Sequence, residues 1–298
     1  LGFDLSKVSL SSNNLGARNR TMLNIFIEQQ IKFQNEKIDL TPGIAITYFS
    51  DVSTRLNYQS NFFNNLFFYP GMDLGYILNK NLKLYSNIGY TYRIPTYTDL
   101  FYSSPTTLGN ENLKLEKALT KEIGLKYLKS NLNLSMSLYK RDASDIIDYV
   151  RNNEDEPWQA NNIRDINTLG FELNMGYKFY LGSFNTHEIN IGFSNIDDDL
   201  KETEFNFSRY ALNSLKNQIT STYSFELFNK ISSTIAFKNS KRLNEEKYTV
   251  IDFRTSYAYE KFTLSIILNN ILDTEYSETN LVPMPGFNSL VGIKYSIN

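Results

Sequence analysis

A chain of 298 residues with 30 basic and 32 acidic side chains, net charge −2, has no basic footprint for nucleic acid and no bulk attraction to an anionic membrane surface. It has 21 Tyr and 21 Phe beside one Trp and no Cys, at mean hydropathy −0.37, so disulfides and thiolate chemistry are excluded. Helical membrane spans are excluded too, because they need about 18 consecutive apolar residues and the longest runs here, such as Ile266-Ile267-Leu268, are short.

Period-two alternation runs through nearly the whole chain, and it puts one set of side chains on each face of a strand. Leu23, Ile25, Ile27, Ile31 and Phe33 oppose Asn24, Glu28, Gln30 and Lys32. Leu132, Leu134, Met136 and Leu138 oppose Asn133, Ser135, Ser137 and Tyr139. The pattern continues through Leu169–Phe179, Ile219–Leu227, Ile231–Phe237, Ile251–Tyr259 and Phe262–Leu272 to a last segment in which Phe287, Ser289, Val291, Ile293, Tyr295 and Ile297 share a face. The pattern predicts roughly fourteen strands of about 10 residues or more, the length a membrane β-strand requires. Pro42 and Pro70 fall inside predicted strands, which argues for an edge or a bulge at each.

Connections alternate short and long. The short set is 34–37, 79–81, 129–131, the Asn229 region and 260–261, and the long set is 51–66, 98–113, 150–164, 199–210 and 276–283. Outer-membrane barrels have short periplasmic turns and long external loops, so the long set is expected outside and the C-terminus in the periplasm. Residues 1–298 read as one all-β domain with no linker and no fixed-period repeat. Leu1-Gly2-Phe3-Asp4 is no signal peptide, so a processed, truncated or partial chain is expected.

A soluble sandwich or propeller also buries one face of each strand, but soluble strands seldom exceed about 10 residues. Enzyme chemistry is not expected. The single histidine, His187, lies beside the turn 181–186 with no nucleophile pattern and reads as a surface or interfacial residue. Asp197-Asp198-Asp199 with Glu202 and Glu204 lacks the spacing and glycine of a calcium loop and reads as a solvated loop. Arg141, Asp142, Asp145 and Asp148 read as the charged mouth of an external loop. Trp158, Phe62, Phe63, Tyr97 and Tyr102 sit in long connections, where they either pack loops together or contact a ligand.

The stretch Tyr90–Phe101, with Arg93-Ile94-Pro95 inside it, resembles the Arg-x-Pro strand end of TonB-dependent outer-membrane receptors. Asn110-Glu111-Asn112-Leu113-Lys114-Leu115-Glu116 resembles that family's Asn-Pro-x-Leu-x-Pro-Glu loop with both prolines replaced. Gly170-Phe171-Glu172-Leu173, Asn269-Asn270-Ile271-Leu272-Asp273-Thr274-Glu275-Tyr276 and Pro285-Gly286-Phe287 resemble further family motifs in the expected order. Phe287 replaces the usual Arg, and the chain ends in Ile297-Asn298 instead of an aromatic. The segment Ser12–Gly16 through Arg18, Arg20 and Glu28 to Asp39–Gly43 is similar to the vitamin B12 receptor branch.

The resemblance implies a transmembrane antiparallel β-barrel, with this chain as roughly the last fourteen of 22 strands and an N-terminal plug absent. It implies an outer-membrane location in a Gram-negative bacterium and contact with membrane lipid. It also implies active uptake of cobalamin, or alternatively of a ferric siderophore or other metal chelate, driven through TonB by an N-terminal TonB box outside this chain. No cofactor is implied, since a transported cobalamin is cargo. Ligand contact is expected at Phe62, Phe63, Tyr97, Asp99, Tyr102, Trp158 and Arg164. A passive, porin-like pore without a plug and an adhesin or structural barrel are the competing classes.

Overall fold

The computed structural model describes residues 1–54, 63–182, 185–200, 205–209, 214–243, 245–278 and 282–297. Strands β1 (Gly2–Ser12), β2 (Gly16–Glu28), β3 (Ile31–Phe33), β4 (Ile38–Thr54), β5 (Phe63–Asn79) and β6 (Leu82–Arg93) lead into helix α1 (Tyr97–Phe101). After it come β7 (Ser103–Ser104), β8 (Thr107–Leu108), β9 (Glu116–Lys129), β10 (Leu132–Arg151), β11 (Trp158–Tyr180), β12 (Thr186–Leu200) and β13 (Phe207–Ser208). The chain closes with β14 (Leu215–Leu227), β15 (Ile231–Arg242), β16 (Tyr248–Tyr259), β17 (Phe262–Asn269) and β18 (Asn288–Tyr295).

All of these strands belong to one sheet. The long strands pair antiparallel with their sequence neighbours, and β3 continues β2 along the same partner, β4. Counting β2 and β3 as one strand gives fourteen long strands among the described residues. The fold is therefore the expected antiparallel barrel wall. Among the described residues no ladder joins β1 to β18.

Both prolines sit where a ladder is interrupted. Pro42 lies opposite the break between β2 and β3, where its carbonyl accepts from the Gln29 amide (3.1 Å). Pro70 keeps its pairing with Ile44 on one side, while the β5–β6 ladder starts only at Gly71. A residue without an N–H is tolerated at such points.

Among the described residues no second layer covers the outward face. Leu66, Phe68, Met72 and Leu74 alternate along β5 and are 55%, 50%, 43% and 41% exposed, and Leu84, Ile88, Ile123, Leu138, Leu169 and Ile219 extend the band around the sheet. A continuous apolar surface of this kind suits hydrocarbon and not water. The inward face is polar with rings laid across it. The Tyr139 ring lies so close over Gly170 that an added Cβ would come within 2.0 Å of Tyr139 Cζ, which accounts for glycine in the Gly-x-Glu motif.

The well-packed apolar clusters are at the long-connection end. One joins Ala118, Ala143, Ile146 and Ile166, and the other joins Leu100, Leu113, Ile147 and Ala160. Several loop expectations are corrected here. Strands β10 and β11 run far past the apolar band, which leaves only 152–157 as their connection, and Asp197, Asp198 and Asp199 are in β12. Arg141, Asp142, Asp145 and Asp148 are all within β10, and Asp148 is 4% exposed. His187 is not exposed, which leaves the interfacial alternative of its reading. It is 6% exposed in a stack with Phe179, Tyr223 and Phe225, and its Nδ1 is 2.8 Å from the Tyr223 hydroxyl.

Candidate functional site

The tall β10–β11 hairpin organises the long-connection end. Val150 pairs with Gln159 of β11 on one side and with Ser208 of β13 on the other, so β13 occupies the β9 side of β10. Trp158 and Gln159 pair in parallel with Thr107 and Leu108 of β8, on the β12 side of β11. The connection after β6 and the connection after β12 thus exchange sides over the hairpin. Backbone pairing fixes both.

A network of ion pairs holds the first of these connections down. The Arg93 guanidinium donates to both Glu116 carboxylate oxygens (2.7 and 2.6 Å) and to Asp99 (3.2 Å). Glu116 also accepts from the Ile147 amide at 2.8 Å, beside the bulge in β10 that frees this donor. Thr96 and Asp99 form a reciprocal capping box on α1 (2.9 and 3.1 Å), and Tyr149 donates its hydroxyl to Asp99 at 3.1 Å. Burial raises the Asp99 carboxyl, but donation from Thr96 and the Arg93 charge outweigh it and hold the group below its ordinary range.

Arg20 on the inward face makes a bidentate pair with Asp51 (2.6 Å twice) and donates to the Pro95 carbonyl at 3.0 Å. Its guanidinium also lies 5.0 Å from the Tyr97 ring centre and 5.6 Å from that of Phe49, while Arg18 sits 3.5 Å over Phe101. Burial first, then the Asp51 charge, push the Tyr97 phenol up to about 12, against the lowering by Arg20 and Arg18. Farther along the rim, two guanidiniums lie against the Trp158 ring, Arg151 at 4.4 Å and Arg209 at 4.7 Å from its centre; Arg209 is also 5.3 Å from the Tyr149 ring and Arg151 5.5 Å from that of Phe207.

Of the residues expected from sequence, Tyr97, Asp99 and Trp158 join this rim. Tyr102 instead caps α1: its amide donates to Thr98 (3.2 Å) and its carbonyl accepts from Gly109 (2.6 Å). Phe62 lies outside the described residues. Phe63 pairs with Asp51 and Arg164 with Ile146 along the ladders, but their side chains lie outside the described set. Sequence reasoning missed Asp51, Tyr149, Arg151 and Arg209 as rim members, because nothing local in the chain marks contacts between such distant segments. Among the described residues no three His, Asp or Glu side chains converge as a metal ligand set. The rim offers guanidinium and indole faces that suit a large planar or anionic ligand.

A second lock closes the β17–β18 connection. Asn270 receives the Thr274 amide (3.0 Å) and donates to the carbonyls of Thr274 (2.9 Å) and Pro285 (3.2 Å), and its own amide donates to Asp252 (2.8 Å). Asp273 accepts from the Phe287 amide at 2.7 Å, so two motifs separated in sequence interlock. Tyr276, the last residue of the first motif, stacks on Tyr248 with ring centres 4.7 Å apart, next to the Lys238–Glu278 ion pair.

The family profile described as TonB dependent receptor-like, beta-barrel matches residues 3–271. A vitamin B12 transporter BtuB of Vibrio vulnificus (strain YJ016) is 24% identical over 209 residues, which cover 69% of this chain and 32% of that protein. Two solved structures share the fold. The copper transporter OprC has a TM-score of 0.73 at 17% identity, over 94% of this chain and 48% of that one. The FrpB iron transporter from Neisseria meningitidis (F3-3 variant) has a TM-score of 0.69 at 14% identity, over 98% and 46%. The chain spans about a third of the curated relative and about half of each structural neighbour.

Proposed function

Because the chain belongs to the TonB dependent receptor-like β-barrel family, we propose that it forms the ligand-capturing wall of an outer-membrane active-uptake receptor. In this reading the long-connection end faces outside, the C-terminus lies in the periplasm, and TonB supplies the energy through a region outside this chain. The carrying observation is Trp158 with the Arg151 and Arg209 guanidiniums against its ring, on a platform built from connections that exchange sides. A fixed cationic and aromatic surface of this sort engages a bulky ligand with amide, phosphate or carboxylate groups. Cobalamin is the first cargo, favoured by the sequence relative, and a ferric siderophore or other metal chelate is the alternative.

Trp158 is the only tryptophan in the chain, so its emission reports on the rim alone. Titration with cyanocobalamin, corrected for ligand absorbance, is expected to quench it saturably. Saturable quenching by a ferric catecholate alone moves the cargo to the alternative. No response to either, together with steady energy-independent solute flux through vesicles carrying the protein, overturns the receptor reading in favour of a passive pore.

A further inference from the structure

The short connections share a feature that turn geometry does not require. Each of the five that are described throughout carries a single lysine: Lys37 in 34–37, Lys80 in 79–81, Lys129 in 129–131, Lys230 in 228–230 and Lys261 in 260–261. All five are exposed, and among the described residues none of them is ion-paired. With three residues added on either side, and with the sixth connection 181–185 treated alike, these segments hold nine lysines against five carboxylates. The rest of the chain has 21 basic and 27 acidic residues, so a near-neutral whole divides into a short-connection end at +4 and a remainder at −6. All ten arginines fall in the remainder.

The chain itself fixes the order from hydrocarbon to charge at this end. Leu78 closes the outward apolar run of β5 two residues before Lys80, and the exposed rings of Tyr259 and Phe262 flank Glu260-Lys261 and share a ladder row with Tyr295. Rings at such a level mark the boundary between hydrocarbon and headgroups, and the turn lysines lie beyond it. Lysines beside a bilayer ordinarily extend their heads to water, which needs no partner. Three features exceed that: one lysine recurs in turn after turn, the surplus is confined to one end, and arginine is left out of it. Arginine serves fixed forks such as Arg20–Asp51 and Arg93–Glu116, whereas a flexible ammonium suits anions that move. Neighbouring short turns are two strands, or about 10 Å, apart, so the cations extend over roughly 50 Å. That is wider than the patch of about 800 Å² that an ordinary protein partner covers.

We propose that the lysine-bearing short turns form an arc that gathers anionic phospholipid headgroups from the leaflet at that end of the barrel. A headgroup layer follows the wall along its whole length, carries mobile phosphates, and lies next to the aromatic level. The arc thereby anchors this end of the barrel at a defined depth. The proposal rests on the outward face meeting lipid and does not depend on which cargo the rim binds.

The test is electron spin resonance of spin-labelled phosphatidylglycerol and spin-labelled phosphatidylcholine in phosphatidylcholine vesicles carrying the protein. Wild type is expected to immobilise phosphatidylglycerol preferentially, and salt should weaken the preference. Lys80, Lys129 and Lys230 lie in the three turns without a carboxylate, and changing all three to Gln is expected to lower the preference at least twofold, one basic residue near an anionic surface being worth roughly fivefold at most. Changing the same three to Arg keeps the charge and should keep the preference. The control, Lys114→Gln, Lys117→Gln and Lys247→Gln, makes an equal charge change toward the long connections and should behave as wild type. Equal immobilisation of both lipids by wild type overturns the proposal, as does an unchanged preference in the turn Gln variant, its loss in the Arg variant, or an equal loss in the control. Heat-modifiable gel mobility confirms that each variant is folded.

Discussion

At the scale of single residues, the rim depends on ion pairs that bury charge. Arg20 and Asp51 have side chains only 12% and 7% exposed, so removing one partner leaves the other charged and shielded from water. Arg20→Met is expected to cost about 3–5 kcal/mol, whereas Arg20→Met with Asp51→Leu should cost distinctly less, because no orphan charge remains. Urea unfolding in micelles measures both, and a double variant no more stable than the single would show that the pair is not the source of the cost. Asp99 gives a pH test. Its carboxyl is depressed below 3.8, so its contribution is fully present above that value and is lost as pH falls through the lower folded-state pKa. Trp158 emission, read through Tyr149 and Arg209, should change only in that acid window, and Asp99→Asn should remove the transition. Arg93 and Glu116 were each legible in the sequence as motif members. Their bidentate pairing was not, since it requires knowing that β6 and β9 are neighbours across the excursion that holds α1.

At the scale of elements, what the sequence revealed followed the lipid. Alternation identifies a strand only where one face meets hydrocarbon and the other meets water. Above the apolar band neither face meets hydrocarbon, one face being packed under the long connections, and the upper parts of β10, β11 and β12, including Asp142, Asp148 and Asp197–Asp199, look like loop by composition while remaining in ladder register. The β17–β18 connection was legible as motifs but not as a mechanism. Asn270 organises the turn, and Asp273 reaches across to the Phe287 amide because Gly286 has no side chain: a Cβ there would come within 2.6 Å of Asp273 Oδ1. Gly286→Ala is therefore expected to destabilise this connection by about 1–2 kcal/mol. The change should appear as faster amide exchange at Phe287 and Asn288, with exchange in the β10–β11 ladder unaltered, and unchanged exchange at Phe287 would mean that the contact is not needed to seat β18.

At the scale of the whole molecule, the question is what solvates the outward face, and exposure alone does not answer it. Met72 and Leu66 both point outward on β5 and are 43% and 55% exposed, so in water an arginine at either position would change stability by no more than about 0.5 kcal/mol. A bilayer separates them by depth. Met72 lies midway along the outward run from Leu66 to Leu78, where the hydrocarbon is thickest, and Leu66 lies near the long connections, where a side chain reaches headgroups and water. Met72→Arg is then expected to cost about 2–4 kcal/mol and Leu66→Arg about 0–1 kcal/mol. Reversible urea unfolding from lipid vesicles measures the difference. A gap of that size between two positions that are both about half exposed requires a solvent whose polarity changes along the strand. Equal small costs would instead mean that the apolar band is covered by protein.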